Sequence, residues 1–144
     1  MTALTLDQAR TIADAALDHA RGNGLKPLAI CILDASGVCK LAIAQDGTSL
    51  KRGEIALGKA NGAVALGVGP RALNKMAIER PHFINGAALA IGGPLVPVPG
   101  GALIRDAEGT LLGAIGISGD TSDNDEAAAL AGIKAAGLAA ETGA

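Results

Sequence analysis

Between Ile91 and Gly119 the chain reads IGGPLVPVPGGALIRDAEGTLLGAIGISG, and no other stretch restricts the fold as strongly. Pro94, Pro97 and Pro99 make a helix through its first half untenable, because each lacks an N–H and crowds the preceding turn. The pairs Gly92-Gly93 and Gly100-Gly101 let the backbone pass tightly and leave room for another chain or a ligand to approach. Apolar runs then flank Asp106-Ala107-Glu108-Gly109, whose composition marks a hairpin turn. Strands are expected over 88–91, 96–105 and 111–118.

The rest of the chain supplies helices and a second hairpin. Thr5 followed by Gln8 reads as a capping box, and Leu6, Ala9, Ile12, Ala13, Ala16 and Leu17 recur at helical spacing until Gly22-Asn23-Gly24. An apolar, β-branched run over 27–34, a turn at Ala35-Ser36-Gly37 and a return over 38–45 give the second hairpin. Residues 48–67 read as a helix with Gly53, Ala56, Ala60, Ala63 and Gly67 on one stripe, a seam able to sit very close to a sheet. A shorter helix over 70–79 stops before Pro81, with a loop after it, and a last helix runs over 122–140. Tight turns between neighbouring strands imply an α+β fold, a five-stranded and largely antiparallel sheet covered by helices in α/β/α layers.

Composition narrows the partners. At 144 residues the chain suits one domain, 1–144. With one Phe, no Trp and no Tyr, its core is built from Leu, Ile, Val and Ala. Small side chains bury little area each, so a homo-oligomer is expected to complete the burial. A net charge of −2 and a single aromatic argue against nucleic acid. The uncharged stretch Gly86 to Ile104 holds three prolines and suits buried strands better than a membrane span. The N-terminus lacks a basic start followed by an apolar run, so a cytoplasmic protein is expected, with Cys31 and Cys39 as thiols on neighbouring strands.

Few residues can carry chemistry. Arg52 and Lys59, seven apart, share a helix face beside the small-residue seam, where a cation can hold a carboxylate or activate a carbonyl. His19 stands late in the first helix, and His82 beside Phe83 in the expected loop; either could ligate iron or move a proton. Gly113 to Asp120 ends a strand against a helix start, where Ser122 with Asp125 reads as a cap and Asp125 and Glu126 favour the helix dipole. No P-loop, zinc spacing or Gly-x-Ser-x-Gly elbow is present.

Gly-Gly-x-Pro, then Pro-Gly-Gly-x-Leu-Ile, then Gly-x-Ile-Gly-Ile-Ser-Gly before an acidic helix start resembles the GlcG/HbpS family, which includes haem-binding proteins and the C-terminal domain of PduO-type proteins. Lys59-Ala60 matches a Lys-Ala recurring in the middle helix of that family. The resemblance implies a profilin-like fold and a small-molecule ligand, haem or another tetrapyrrole. The Glu-x-x-Glu iron motif of HbpS-like members is absent from this chain. The candidate ligand-binding set is Arg52, Lys59, Pro99, Gly100, Gly101 and Ser118. His19 and His82 are the candidate haem-iron ligands.

Two other functions fit. One is a cofactor-free lyase or isomerase in which Arg52 and Lys59 anchor an acidic substrate and Lys59, His82 or Asp120 serves catalysis. The other is an oligomeric accessory subunit. An enzyme predicts perturbed ionisation at Lys59 or His82 and a polar pocket at the strand end. A haem protein predicts an apolar slot with His19 or His82 at its mouth, and an accessory subunit predicts neither.

Overall fold

The computed structural model describes residues 3–144; Met1 and Thr2, the start of the segment read above as lacking a leader, lie outside the described residues. Helix α1 (Leu6–Gly22) is opened by Thr5, whose Oγ1 accepts the Gln8 N–H at 3.0 Å while Gln8 Oε1 accepts the Thr5 N–H at 3.0 Å. The first hairpin is β1 (Ala29–Asp34) and β2 (Cys39–Ala44). Three helices follow: α2 (Arg52–Leu66), α3 (Pro70–Glu79) and α4 (Pro81–Ala90). The second hairpin, β3 (Gly101–Arg105) and β4 (Leu111–Ser118), leads to α5 (Ser122–Ala135) and a short β5 (Ala139–Glu141).

The five strands form one antiparallel sheet in the order β2-β1-β4-β3-β5. Its two faces are built from different residues. Ile30, Ile32, Ile104, Ile115 and Ile117 point to one side, where α1 and α5 cover them with Ile12 and Ile133. Ala29, Cys31, Leu33, Leu103 and Ala114 point to the other, against Ala56, Ala60 and Ala63 of α2. Large side chains hold one helical layer away from the sheet, whereas small ones let α2 settle onto it. Gly116, at the centre of β4, has no room for a Cβ, which would collide with the Ala56 carbonyl of α2.

Three expected elements differ from those observed. Residues 80–91 are not a loop and a strand. Helix α3 does stop at Glu79, before Pro81, but Pro81 then occupies the first turn of a further helix, α4, where a missing N–H costs nothing. Residues 91–100 form a strap across α2 rather than the start of a strand: the Val96 N–H bonds the Gly58 carbonyl at 3.1 Å, and Asn61 Nδ2 donates to the Pro94 carbonyl at 2.9 Å. Gly58 and Gly62 make the space; Cβ atoms there would press into Val96 and Leu95. The fifth strand comes instead from the C-terminus. Gly137, at φ 71°, ends the last helix in the left-handed region and returns the chain to pair Leu103 with Glu141.

Candidate functional site

The sheet and α2 together trap Lys59. It is 2% exposed, in a helical seam otherwise made of alanine and glycine. Its Nζ donates to the Ile117 carbonyl at 2.7 Å and faces Asp125 Oδ2 at 3.4 Å. Gly100, at φ 134°, passes directly over that ammonium, and a Cβ at this position would overlap it. The Gly100 carbonyl also accepts the Ile117 N–H at 2.7 Å, and Gly101 pairs with Gly116 in the sheet. Pro99, Gly100 and Gly101 are thus buried as the lid of the Lys59 site.

Burial pushes the Lys59 ammonium below its ordinary pKa; Asp125 pulls the other way, and the charge of Arg52 adds to the lowering. Burial likewise pushes the Asp125 carboxyl up, against backbone N–H donors from Asp120 and Gly119 and against Lys59. Each partner is driven toward neutrality more strongly than the other restores it.

Asp125 is therefore not part of a helix cap. The cap is Thr121, whose Oγ1 accepts the Asn124 N–H at 3.2 Å, while Asp125 is 1% exposed and reaches inward. Asp120 serves as a clamp between chain segments. One oxygen accepts the Lys26 N–H at 2.8 Å; the other accepts Asn124 Nδ2 at 2.7 Å and the Thr121 N–H at 2.8 Å. These donors hold its pKa down at about 2, so at neutral pH it remains a carboxylate.

At the first turn of α2, Arg52 donates to Ser118 Oγ at 3.1 Å and to Ser49 Oγ at 3.3 Å. Ser118, the last residue of β4, is fully buried. The guanidinium borders a polar cavity of about 220 Å³ shared with Lys26, Thr48, Ser49 and Gly119.

The other end of α2 meets a different environment. Leu66 joins His82, Phe83, Gly86, Ala87, Ala90 and Ile91 around an open apolar hollow of about 500 Å³. His82, Gly86 and Ala90 recur every four residues on one face of α4, so the imidazole stands over a floor of small side chains. The Arg80 guanidinium lies 4.9 Å from the centre of the Phe83 ring, beside the hollow. His19 sits in the last turn of α1 and lines neither space.

The structure thus joins Arg52, Lys59, Ser118 and the Pro99-Gly100-Gly101 turn at the strand end, with Asp120 at its edge, and sets His82 apart at α4. It holds features of both the enzyme reading and the haem reading: shifted ionisation at the enclosed Lys59 and a polar cavity at the strand end lined by Arg52, and a histidine in an apolar hollow. Sequence reasoning missed Asp125 as the partner of Lys59. Asp125, Ala128, Ala129, Gly132 and Ile133 fall on one buried stripe, so the helical period already aimed that carboxylate at the core.

An antiparallel five-stranded sheet between helical layers, with a buried Lys–Asp pair beneath a glycine turn, defines a small α+β protein with ligand-sized cavities at both ends of one helix. The chain belongs to the HbpS-like family, described as haem-degrading protein HbpS-like, whose model matches residues 4–134. Among solved structures it is similar to a PduOC:heme complex, with 26% identity, a TM-score of 0.85, and 97% of this chain and 99% of that one covered. It is similar to HbpS at 27% identity and a TM-score of 0.78, over 93% of this chain and 90% of that one. The fold is shared with the Klebsiella pneumoniae protein ORFY, at 22% identity and a TM-score of 0.83, over 95% and 93% of the two chains. No curated protein sequence matches the chain. Among the described residues, no helix is long and apolar enough to cross a membrane.

Proposed function

We propose that this protein binds haem or a closely related tetrapyrrole in the hollow along α4, with His82 as the iron ligand. The observation that carries this reading is the position of His82, an imidazole on the wall of an otherwise apolar hollow. The donor set fits the group: the His82 imidazole would hold the iron, and Phe83, Leu66 and Ile91 would give apolar contact to the macrocycle. Gly86, Ala87 and Ala90 leave the floor flat enough for a planar ring to approach. Arg80, whose guanidinium lies against the Phe83 ring, suits a propionate. Bound there, haem would contribute redox and small-ligand chemistry at its iron, while the chain's own part is to orient the ring and shield one face from water. Membership of the HbpS-like family and similarity to a heme complex support the reading.

The test is a haemin titration followed in the Soret band, run on the wild type, His82→Ala and His19→Ala. A saturable shift near one haem per chain, kept in His19→Ala and lost in His82→Ala, is expected. Loss only in His19→Ala would move the iron to α1 and overturn the assignment to His82. Non-saturating changes common to all three proteins would remove the haem reading altogether.

A further inference from the structure

The polar cavity at the start of α2 has a chemistry of its own. Arg21, Arg71 and Arg105 each lie against a carboxylate within 4 Å, as surface arginines commonly do. Arg52 is different. Its hydrogen bonds go only to two hydroxyls, Ser49 Oγ and Ser118 Oγ, and it has no ion-pair partner among the described residues. The nearby acids are already committed, Asp125 to Lys59 and the Asp120 N–H, and Asp120 to the Lys26, Thr121 and Asn124 donors.

The guanidinium is also fixed in direction. Ser118 is fully buried at the end of β4, and its hydroxyl holds Arg52 Nη1, leaving the rest of the planar fork toward the cavity it lines. Across the opening stand Lys26 and the hydroxyl residues Thr48 and Ser49, so the walls offer positive charge and donors. The same Arg52 charge disfavours the buried Lys59 ammonium, so an anion at Arg52 would relieve an existing repulsion as well as make new bonds.

We infer that this cavity is a binding site for a small carboxylate, with Arg52 as its anchor and Ser118 as the residue that positions the anchor. One guanidinium fork flanked by hydroxyls matches the planar, two-oxygen carboxylate group. A volume of about 220 Å³ limits the ligand to a short acid. The site lies at the opposite end of α2 from His82 and does not rest on the haem reading.

Acetate, pyruvate and malonate, with inorganic phosphate as a rival anion, should be titrated at constant ionic strength while backbone amide shifts are followed by NMR. Saturable shifts are expected at Thr48, Ser49 and Gly119 for at least one carboxylate. Arg52→Gln should weaken that binding about tenfold or more, the loss expected when a charge-assisted pair disappears. Lys26→Gln, at the cavity rim, should weaken it by a smaller factor and covers the case in which Arg52→Gln fails to fold. His82→Ala should leave it unchanged. Shifts that never saturate, equal affinity in both Arg52→Gln and Lys26→Gln, or tighter binding of phosphate than of every carboxylate would each overturn the proposal.

Discussion

The two ends of α2 sit against opposite environments. Its first residue, Arg52, borders a polar cavity, where the hydroxyls of Ser49 and Ser118 hold its guanidinium in place. Its last, Leu66, borders an apolar hollow whose walls make few polar bonds and whose histidine is exposed. The difference follows from what each end packs on. The N-terminal half of the helix lies on the sheet, where any charge must be paired before it can be buried. The C-terminal end lies beside α4, where the chain has left apolar surface uncovered, and Phe83 and Leu89 remain exposed there. The buried charge pair on the sheet side is therefore expected to respond to mutation through stability, and the hollow beside α4 through haemin binding.

The largest effect should come from splitting the buried pair. Lys59→Met leaves the Asp125 carboxyl buried without its cation, and Asp125→Leu does the converse; removing one partner of such a pair costs about 3–5 kcal/mol. Urea denaturation should show a large drop in midpoint for either single variant. The double variant Lys59→Met with Asp125→Leu should recover much of the loss, because desolvation already opposes both charges. Equal and additive losses would show that the two groups do not act as a pair.

Next in size is Gly116→Ala. The added methyl meets the Ala56 carbonyl and pushes α2 off β4, an overpacking that costs about 1–3 kcal/mol. A thermal midpoint unchanged from the wild type would mean that the helix does not rest on the sheet as closely as the small-residue seam implies.

Acid titration gives a smaller signal, with opposite signs at two neighbouring carboxylates. Asp120 has its folded-state pKa held at about 2, below its ordinary 3.8, so its contribution is present above that ordinary value and is lost as pH falls toward 2. Asp125 is raised, so its contribution is largest when it is protonated and declines as pH rises above 3.8. Asp120→Asn should therefore flatten the loss of stability between pH 4 and pH 2, read as a smaller fall in urea midpoint across that interval. An unaltered slope would place the acid sensitivity elsewhere.

The sequence displayed most of this frame. The capping box at Thr5, both hairpins and the alanine seam of α2 rest on local signals, namely caps, turn residues and period, and each forms where that signal stands. The errors arose where one residue type serves two purposes. Pro81 follows the end of α3, as expected, and also begins α4, a second role that the sequence around it does not signal. Ala-Ala-Gly-Leu-Ala-Ala has strong helix formers on both sides of Gly137, and the pairing of β5 with β3 outweighs that preference. At the candidate site, Arg52 and Lys59 were legible as a shared face, but their different fates were not. Lys59 is enclosed by a strap and a strand end distant in sequence, and no local pattern predicts that enclosure.

The smallest prediction separates the two ends of α2 most sharply, because it is the same substitution as at Gly116 with the sign reversed. Gly86 lies inside α4, and a Cβ there would meet nothing within 4 Å. Gly86→Ala should therefore stabilise the protein by at most about 1 kcal/mol, the difference in helix propensity between the two residues. The new methyl enters the floor of the hollow one turn beyond His82, so the same variant should weaken haemin binding even as its thermal midpoint rises. A higher midpoint with unchanged haemin affinity would show that the macrocycle does not lie on this face of α4. A lower midpoint would mean that the face is already covered, and the contrast between a packed end and an open end of α2 would fail with it.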